Sequence, residues 1–139
     1  MKVGHNLTDS FESYIGIRQG GCIKPNLFNF FINDLPDYLL HSFDPVYINN
    51  NIIDCLLYAD DVILLSNSQK GFQSKLDSLE LFCKEWCMSV NISKTKVVIF
   101  NKSGRFIKQT FLLNNKVLDC CNSYKYLGIT FSSSGSFQN

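Results

Sequence analysis

The 139-residue chain has a formal net charge of +1, with 45% hydrophobic and 18% charged residues. That balance belongs to one modest globular domain with a real core, and excludes a disordered chain or two separate domains. No apolar run approaches the ~20 residues of a membrane span, and the N-terminal MKVGHNLTDSFES lacks the apolar core of a secretory signal, so an intracellular protein is expected.

Charge is unevenly divided. Residues 1–85 hold six Lys/Arg against eleven Asp/Glu, residues 86–139 seven against one, and no acid lies between Trp86 and Leu118. Such a basic run reads first as a solvated face and second as a phosphate-binding track. The six cysteines (Cys22, Cys55, Cys83, Cys87, Cys120, Cys121) form no C-x-x-C, and the two histidines are far apart. Reduced, mostly core-facing thiols are expected, with no disulfide and no zinc site.

In chain order, FESYIGI alternates aromatic and polar residues and predicts a strand ending near Gly16. RQGGCIKP is a glycine turn closed by Pro25 at a helix start. Leu27, Phe30, Phe31 and Leu35 then recur at helical spacing, with Pro36 expected to end or kink that helix. PVYINNNIIDCLLYADDVILLS predicts three strands: Val46–Ile48, Ile52–Ala59 after an Asn49–Asn51 turn, and Val62–Ser66. Phe72, Leu76, Leu79, Phe82 and Trp86 mark the clearest helix, with an N-cap among Ser66 to Ser68 and a mild cost at Gly71. Cys83 and Cys87 fall one turn apart on it. KTKVVIF predicts a short strand, TFLLNNKVLD a hairpin turning at Asn114–Asn115, YKYLGITF a last strand, and 132–139 a disordered tail. The fold class is therefore α+β, with a mainly antiparallel sheet and two main helices packed on one face.

Asp60 and Asp61 stand side by side between two apolar runs. Like charges at contact repel, and a buried carboxylate without a partner is costly. A rigid turn between buried strands would hold the pair in place, either as a plain Asp-Asp turn or as the seat of one or two hard cations.

Four motifs decide between these readings. GIRQGGCIKPNLFNFFINDLP (Gly16–Pro36), YADD (Tyr58–Asp61), NISKTK (Asn91–Lys96) and YLG (Tyr126–Gly128) occur in one order along nearly the whole chain. With them the chain resembles the reverse transcriptase domain of non-LTR (LINE-type) retrotransposons, jockey-like elements most closely. YADD or R-Q-G alone would be a weak signal; the four together are specific.

The resemblance implies a reverse-transcriptase palm over residues 1–131 and two-metal nucleotidyl transfer. A primer 3′-hydroxyl attacks a nucleotide α-phosphate, with two Mg²⁺ ions about 3.5–4 Å apart and Mn²⁺ as a substitute. It makes Asp60 the direct metal ligand, with Asp61 a second ligand or a contact on the primer side. Gln19, Gly20 and Tyr58 would line the nucleotide pocket, with Arg18 on template or phosphate or in a salt bridge. Lys94 would give a proton to leaving pyrophosphate, a role for which Lys96 competes. Tyr126, Leu127 and Gly128 would support the primer end. Lys96, Lys102, Arg105 and Lys108 would contact nucleic-acid backbone. The implied partners are an RNA template, a DNA primer and deoxynucleotide triphosphates, with no membrane, and the implied locations include the nucleus.

Two departures from the family's pattern stand out. Lys24 sits where the family has Ser before Pro25, removing a helix cap that contributes about 1 kcal/mol. The family's first acidic motif has no match in the residues before Gly16, where only Asp9 and Glu12 occur, and that motif, most of the fingers and the thumb are expected to be absent from these 139 residues. The expectation is a palm fragment that is inactive alone and poorly soluble through its open sheet edge. The alternatives are a domesticated, non-catalytic palm that holds nucleic acid or protein, and a small metal-binding α+β domain unrelated to polymerases.

Overall fold

The computed structural model describes residues 2–3, 6–7, 24–39 and 44–138. Strands β1 (Lys2–Val3) and β2 (Asn6–Leu7) pair antiparallel. The strand expected in FESYIGI and the RQGG turn lie outside the described residues.

Helix α1 runs Lys24–Ile32, with Pro25 at its second position, and α2 runs Leu35–Leu39. Pro36 does not end the helix where expected. The break comes earlier, at Asn33–Asp34, and Pro36 opens the first turn of α2. A proline ring clashes with the carbonyl four residues back, here that of Ile32, and this is where α1 stops. At the start of a new helix the missing N–H costs nothing.

Strands β3 (Tyr47–Ile48) and β4 (Asn51–Ile52) form a hairpin over Asn49–Asn50, both at positive φ (50° and 65°). Paired positive φ values make the turn that matches strand twist, and asparagine tolerates them. The strand expected over Ile52–Ala59 is broken at Ile53–Asp54, so that β5 is Cys55–Tyr58. It pairs antiparallel with β6 (Asp61–Leu64), Tyr58 facing Asp61. Neither strand is buried as expected: Leu56 is 46% exposed.

Helix α3 (Gln69–Glu85) follows, N-capped by the Ser68 hydroxyl, which accepts from the Gly71 N–H at 3.1 Å. Leu76, Leu79 and Phe82 recur on its buried face, and the Tyr38 ring of α2 meets Phe82 edge-on at 5.1 Å. Trp86 caps the helix, and Cys87 lies beyond it, exposed, at φ 52°. Cys87 is therefore not the core-facing helical cysteine expected; it occupies the left-handed position that commonly follows a helix. Cys83 is buried, and the described cysteines are unpaired.

Strand β7 (Lys96–Val98) precedes the hairpin β8 (Leu112–Leu113) and β9 (Lys116–Val117), which turns at Asn114–Asn115 as expected. The Gln73 side chain of α3 docks that hairpin like a neighbouring strand. Its Oε1 accepts from the Leu112 N–H at 3.0 Å and its Nε2 donates to the Leu112 carbonyl at 2.9 Å. Strand β10 (Asp119–Cys121) then pairs parallel with β7.

The expected last strand is instead a hairpin, β11 (Ser123–Tyr126) and β12 (Ile129–Ser132), turning at Leu127 (φ 47°) and Gly128 (φ 88°). The expected disordered tail is also corrected. Phe137–Gln138 forms β13 and pairs with β12, after a turn tied by Ser132, Ser134 and Ser136 hydroxyls. The α+β mixture holds, but the strands do not form one sheet. Among the described residues there are six small sheets, all antiparallel except β7–β10. Strands of two to four residues, interrupted by polar residues with partners elsewhere, cannot extend a common ladder.

One such residue is Asp54. Its Oδ1 accepts from the Lys75 ammonium of α3 at 2.6 Å, and Lys75 is fully buried. The same ammonium donates to the Leu65 carbonyl at 2.6 Å and the Asp44 carbonyl at 2.9 Å. The Leu65 N–H in turn donates to the Asp54 carbonyl at 2.8 Å. Lys75 thus ties both ends of the β5–β6 hairpin to α3. Beside it, Asp44 Oδ2 accepts from the Ser66 hydroxyl, from the Asn67 and Ser68 N–H groups at 2.8 and 2.7 Å, and from the Ser68 hydroxyl. Gly71 is needed here rather than merely tolerated, because a Cβ would overlap the Asp44 side chain.

Two predictions follow from these anchors. Lys75→Met leaves Asp54 unpaired and should cost about 3–5 kcal/mol in urea unfolding, part of it recovered by adding Asp54→Asn. The Ser66 hydroxyl, with the Ser68 and Asn67 donors, lowers the Asp44 carboxyl from 3.8 to about 2. Its stability contribution is complete above 3.8 and drains away as pH falls through about 2. Asp44→Asn should flatten the unfolding curve in that window and leave its shape above pH 5 unchanged.

Candidate active site

The carboxylate pair does not share a turn in the way expected. Ala59 and Asp60 make the two-residue turn, and Asp61 is the first residue of β6, opposite Tyr58. Ala59 takes φ 50°, a region disfavoured for residues with a Cβ. Both carboxylates are exposed, and among the described residues neither is in an ion pair or a side-chain hydrogen bond. Two exposed carboxylates at the tip of a hairpin clamped at its base are hard oxygen donors. No group of three or more His, Cys, Asp or Glu gathers there among the described residues. The donor set still suits Mg²⁺, which is bound through one or two carboxylates together with waters and substrate phosphates.

Two other elements approach the tip. The Tyr126 phenol, at the end of β11, is raised by burial and then by the neighbouring Asp61, Tyr58 and Tyr124. The Y-L-G turn therefore lies within electrostatic reach of the Y-A-D-D hairpin, two motifs 65 or more residues apart in the chain. On another side, a cavity of about 420 Å³ lies between α1 and β5, lined by Asn29, Ile32 and Asn33 and by Leu57, Tyr58 and Ala59. Asn29 and Asn33 were not singled out in the sequence. Their four-residue spacing, one helical turn, was the available signal.

The expected basic residues fall into different situations. Lys96 on β7 pairs with Asp119, its neighbour across the parallel β10 register, at 2.7 Å, and this ion pair holds the Asp119 carboxyl below its ordinary range. Lys94 lies exposed on the turn after Asn91, whose carbonyl and side-chain oxygen accept from the Lys94 N–H. No ion pair holds it among the described residues, and no contact joins it to the acid pair. Lys102, Arg105 and Lys108 are exposed on the segment between β7 and β8. Leu127 is 54% exposed beside Gly128. Arg18, Gln19 and Gly20 lie outside the described residues. No described helix is long and apolar enough to cross a membrane.

Comparison with known proteins agrees with the motifs. Residues 2–131 match the family described as reverse transcriptase (RNA-dependent DNA polymerase). The chain is 28% identical to the RNA-directed DNA polymerase from mobile element jockey of Drosophila melanogaster, over 96% of this chain and 15% of that protein. It is 33% identical to the probable RNA-directed DNA polymerase from transposon BS of the same organism, over 88% and 14%. Against the Pol polyprotein from a type-1 retrotransposable element R2 of Popillia japonica, identity is 28% over 96% and 23%. The chain thus spans between about a seventh and a quarter of these relatives.

Proposed function

Because the chain belongs to the reverse transcriptase family, we propose that it forms part of the palm of an RNA-directed DNA polymerase of a non-LTR retrotransposon. The observation that carries this is the Asp60–Asp61 pair, with free carboxylates on a hairpin clamped by Lys75 and flanked by the Tyr126 turn and the α1 cleft. Asp60 and Asp61 would hold Mg²⁺, or Mn²⁺ in its place. The bound ions would activate the primer hydroxyl and stabilise charge on the phosphates.

The chain's own residues orient and neutralise. Tyr126, Leu127 and Gly128 support the primer end beside Asp61. Tyr58, with Gln19, Gly20 and Arg18, forms the deoxynucleotide pocket. Between the two lysines, Lys94 is the better proton donor to pyrophosphate, since among the described residues its ammonium has no acidic partner while that of Lys96 is paired with Asp119. Template RNA and primer DNA run past Lys102, Arg105 and Lys108. Such work would belong to the nucleus or wherever the element is copied.

The chain spans 15% of the jockey polymerase, and polymerisation is proposed to need more polypeptide than it supplies. Mn²⁺ titration of the ¹⁵N-labelled chain should broaden the amide signals around Asp60 and Asp61 first, and Asp60→Ala should abolish this. Broadening that is absent, or that survives the substitution, overturns the metal site. Primer extension by the purified chain on an RNA template should stay at background. Extension that Asp60→Ala removes would overturn its dependence on further polypeptide.

A further inference from the structure

The register of the hairpin that carries Asp60 and Asp61 is not set by its own residues. Its two apolar runs, residues 55–57 and 62–64, are continuous rather than alternating, so a slip of one residue still points apolar side chains at the core. Its two-residue turn has positive φ at the first residue, where glycine is favoured, and this chain has Ala59 there. No third strand joins the pair among the described residues, and a lone two-stranded hairpin is marginal in water. Yet a slip of one residue would turn Asp61 to the opposite face and change which residues share the tip.

What pins the register lies at the other end of the hairpin. The Leu65 N–H donates to the Asp54 carbonyl at 2.8 Å, which carries the pairing one step past Cys55 and Leu64. The Lys75 ammonium bridges the same two residues, donating to Asp54 Oδ1 and to the Leu65 carbonyl, both at 2.6 Å. Asp54 Oδ1 also accepts from the Val46 N–H at 3.3 Å. A slip would separate the two acceptors that one fully buried ammonium must reach. Replacing a buried ion pair by apolar residues of similar size is often neutral or stabilising, so the packing of α3 does not account for this one. Fixing a register is the best-attested use of such groups.

We propose that Lys75 is a positioning residue for the metal-binding tip: by joining Asp54 to Leu65 it locks β5 against β6 in the register that presents Asp60 and Asp61 together. The clamp lies roughly 15 Å from the tip, at about 3.4 Å per residue, so it acts through the ladder and not by contact with the carboxylates. The inference rests on the proposed metal site for its consequence, while the lock itself is read without metal.

The test compares the whole chain with a double variant, Lys75→Met with Asp54→Asn, which keeps the parent's net charge. A control, Leu113→Ala, removes a buried side chain in β8, outside the hairpin and its clamp. Hydrogen exchange and cross-strand NOEs read the hairpin, and Mn²⁺ broadening of the amides at Asp60 and Asp61 reads the tip. The double variant should exchange its β5 and β6 amides about tenfold faster relative to α3, lose the Tyr58–Asp61 NOEs and bind Mn²⁺ about tenfold more weakly. Leu113→Ala should lose stability yet bind Mn²⁺ as the parent does. Rescue is covalent. Cys55 and Leu64 are register partners one step from the Asp54–Leu65 hydrogen bond, a non-hydrogen-bonded position whose pairs lie close enough for a disulfide. Leu64→Cys added to the double variant should restore Mn²⁺ affinity when oxidised and lose it on reduction. A double variant that keeps its NOEs and its Mn²⁺ affinity overturns the lock, as does an oxidised triple variant that stays weak. Where the double variant does not fold, the oxidised triple variant decides: the parent's Mn²⁺ affinity supports the lock, and failure to fold overturns it. No Mn²⁺ signal in the parent removes the metal site alone, since exchange and NOEs still read the lock. A lock lost with Mn²⁺ affinity unchanged removes the positioning role alone.

Discussion

The Lys75 ammonium, withdrawn from water, donates to the Asp44 carbonyl, the Asp54 carboxylate and the Leu65 carbonyl, which uses all three of its protons. A buried cation is tolerated only when such pairing is complete. The requirement fixes several elements at once. Asp54 must leave the ladder, which breaks the long strand expected there into β4 and β5. Leu65 must close the other end of the β5–β6 hairpin. The segment at Asp44 must run over the start of α3, so close that position 71 has no room for a Cβ. The hairpin that carries Asp60 and Asp61 is therefore held at its base by an interaction about four residues from its tip.

Legibility in the sequence followed the range of the interaction. Helix α3, its Ser68 cap and the Asn114–Asn115 turn were readable because each is a local matter of spacing, capping or tolerated φ. The split of the first helix was half readable: Pro36 announced a break, but the break lies at the carbonyl it would strike, four residues back. Lys75 and Asp54 were not readable. A lysine on an amphipathic helix ordinarily reads as solvated, and only the three-dimensional meeting of α3 with two strand ends reveals a buried one. Leu56 failed in the opposite direction, an apolar strand residue left half in water because a two-stranded sheet has nothing to cover that face.

At the site, the backbone detail differs from what the motifs alone suggest. The Tyr126 phenol of Y-L-G feels the Asp61 carboxylate of Y-A-D-D. Y-L-G, however, is a turn with Leu127 and Gly128 at positive φ rather than the middle of a strand, which is why a glycine ends it. Asn29 and Asn33 entered only through the cavity they share with Leu57, Tyr58 and Ala59.

The uneven charge of the chain acquires a physical sense from the ion pairs. An acid-rich half beside a basic half would ordinarily pair off, yet each ion pair among the described residues stays within one half: Lys75 to Asp54 and Lys84 to Glu80 in residues 1–85, Lys96 to Asp119 in residues 86–139. None of these involves Asp60 or Asp61. Two adjacent carboxylates left uncompensated repel each other, and water screens that repulsion only in part. A fold selected for stability alone would bring one of the exposed lysines across, since even a surface pair contributes a few tenths of a kcal/mol, about 0.2–1. Among the described residues the tip instead stays open on a hairpin clamped from below, and Lys94, Lys102, Arg105 and Lys108 likewise make no ion pair. Opposite charges kept apart on rigid supports leave the carboxylates, and separately the lysines, exposed to solvent with their charge unmet among the described residues.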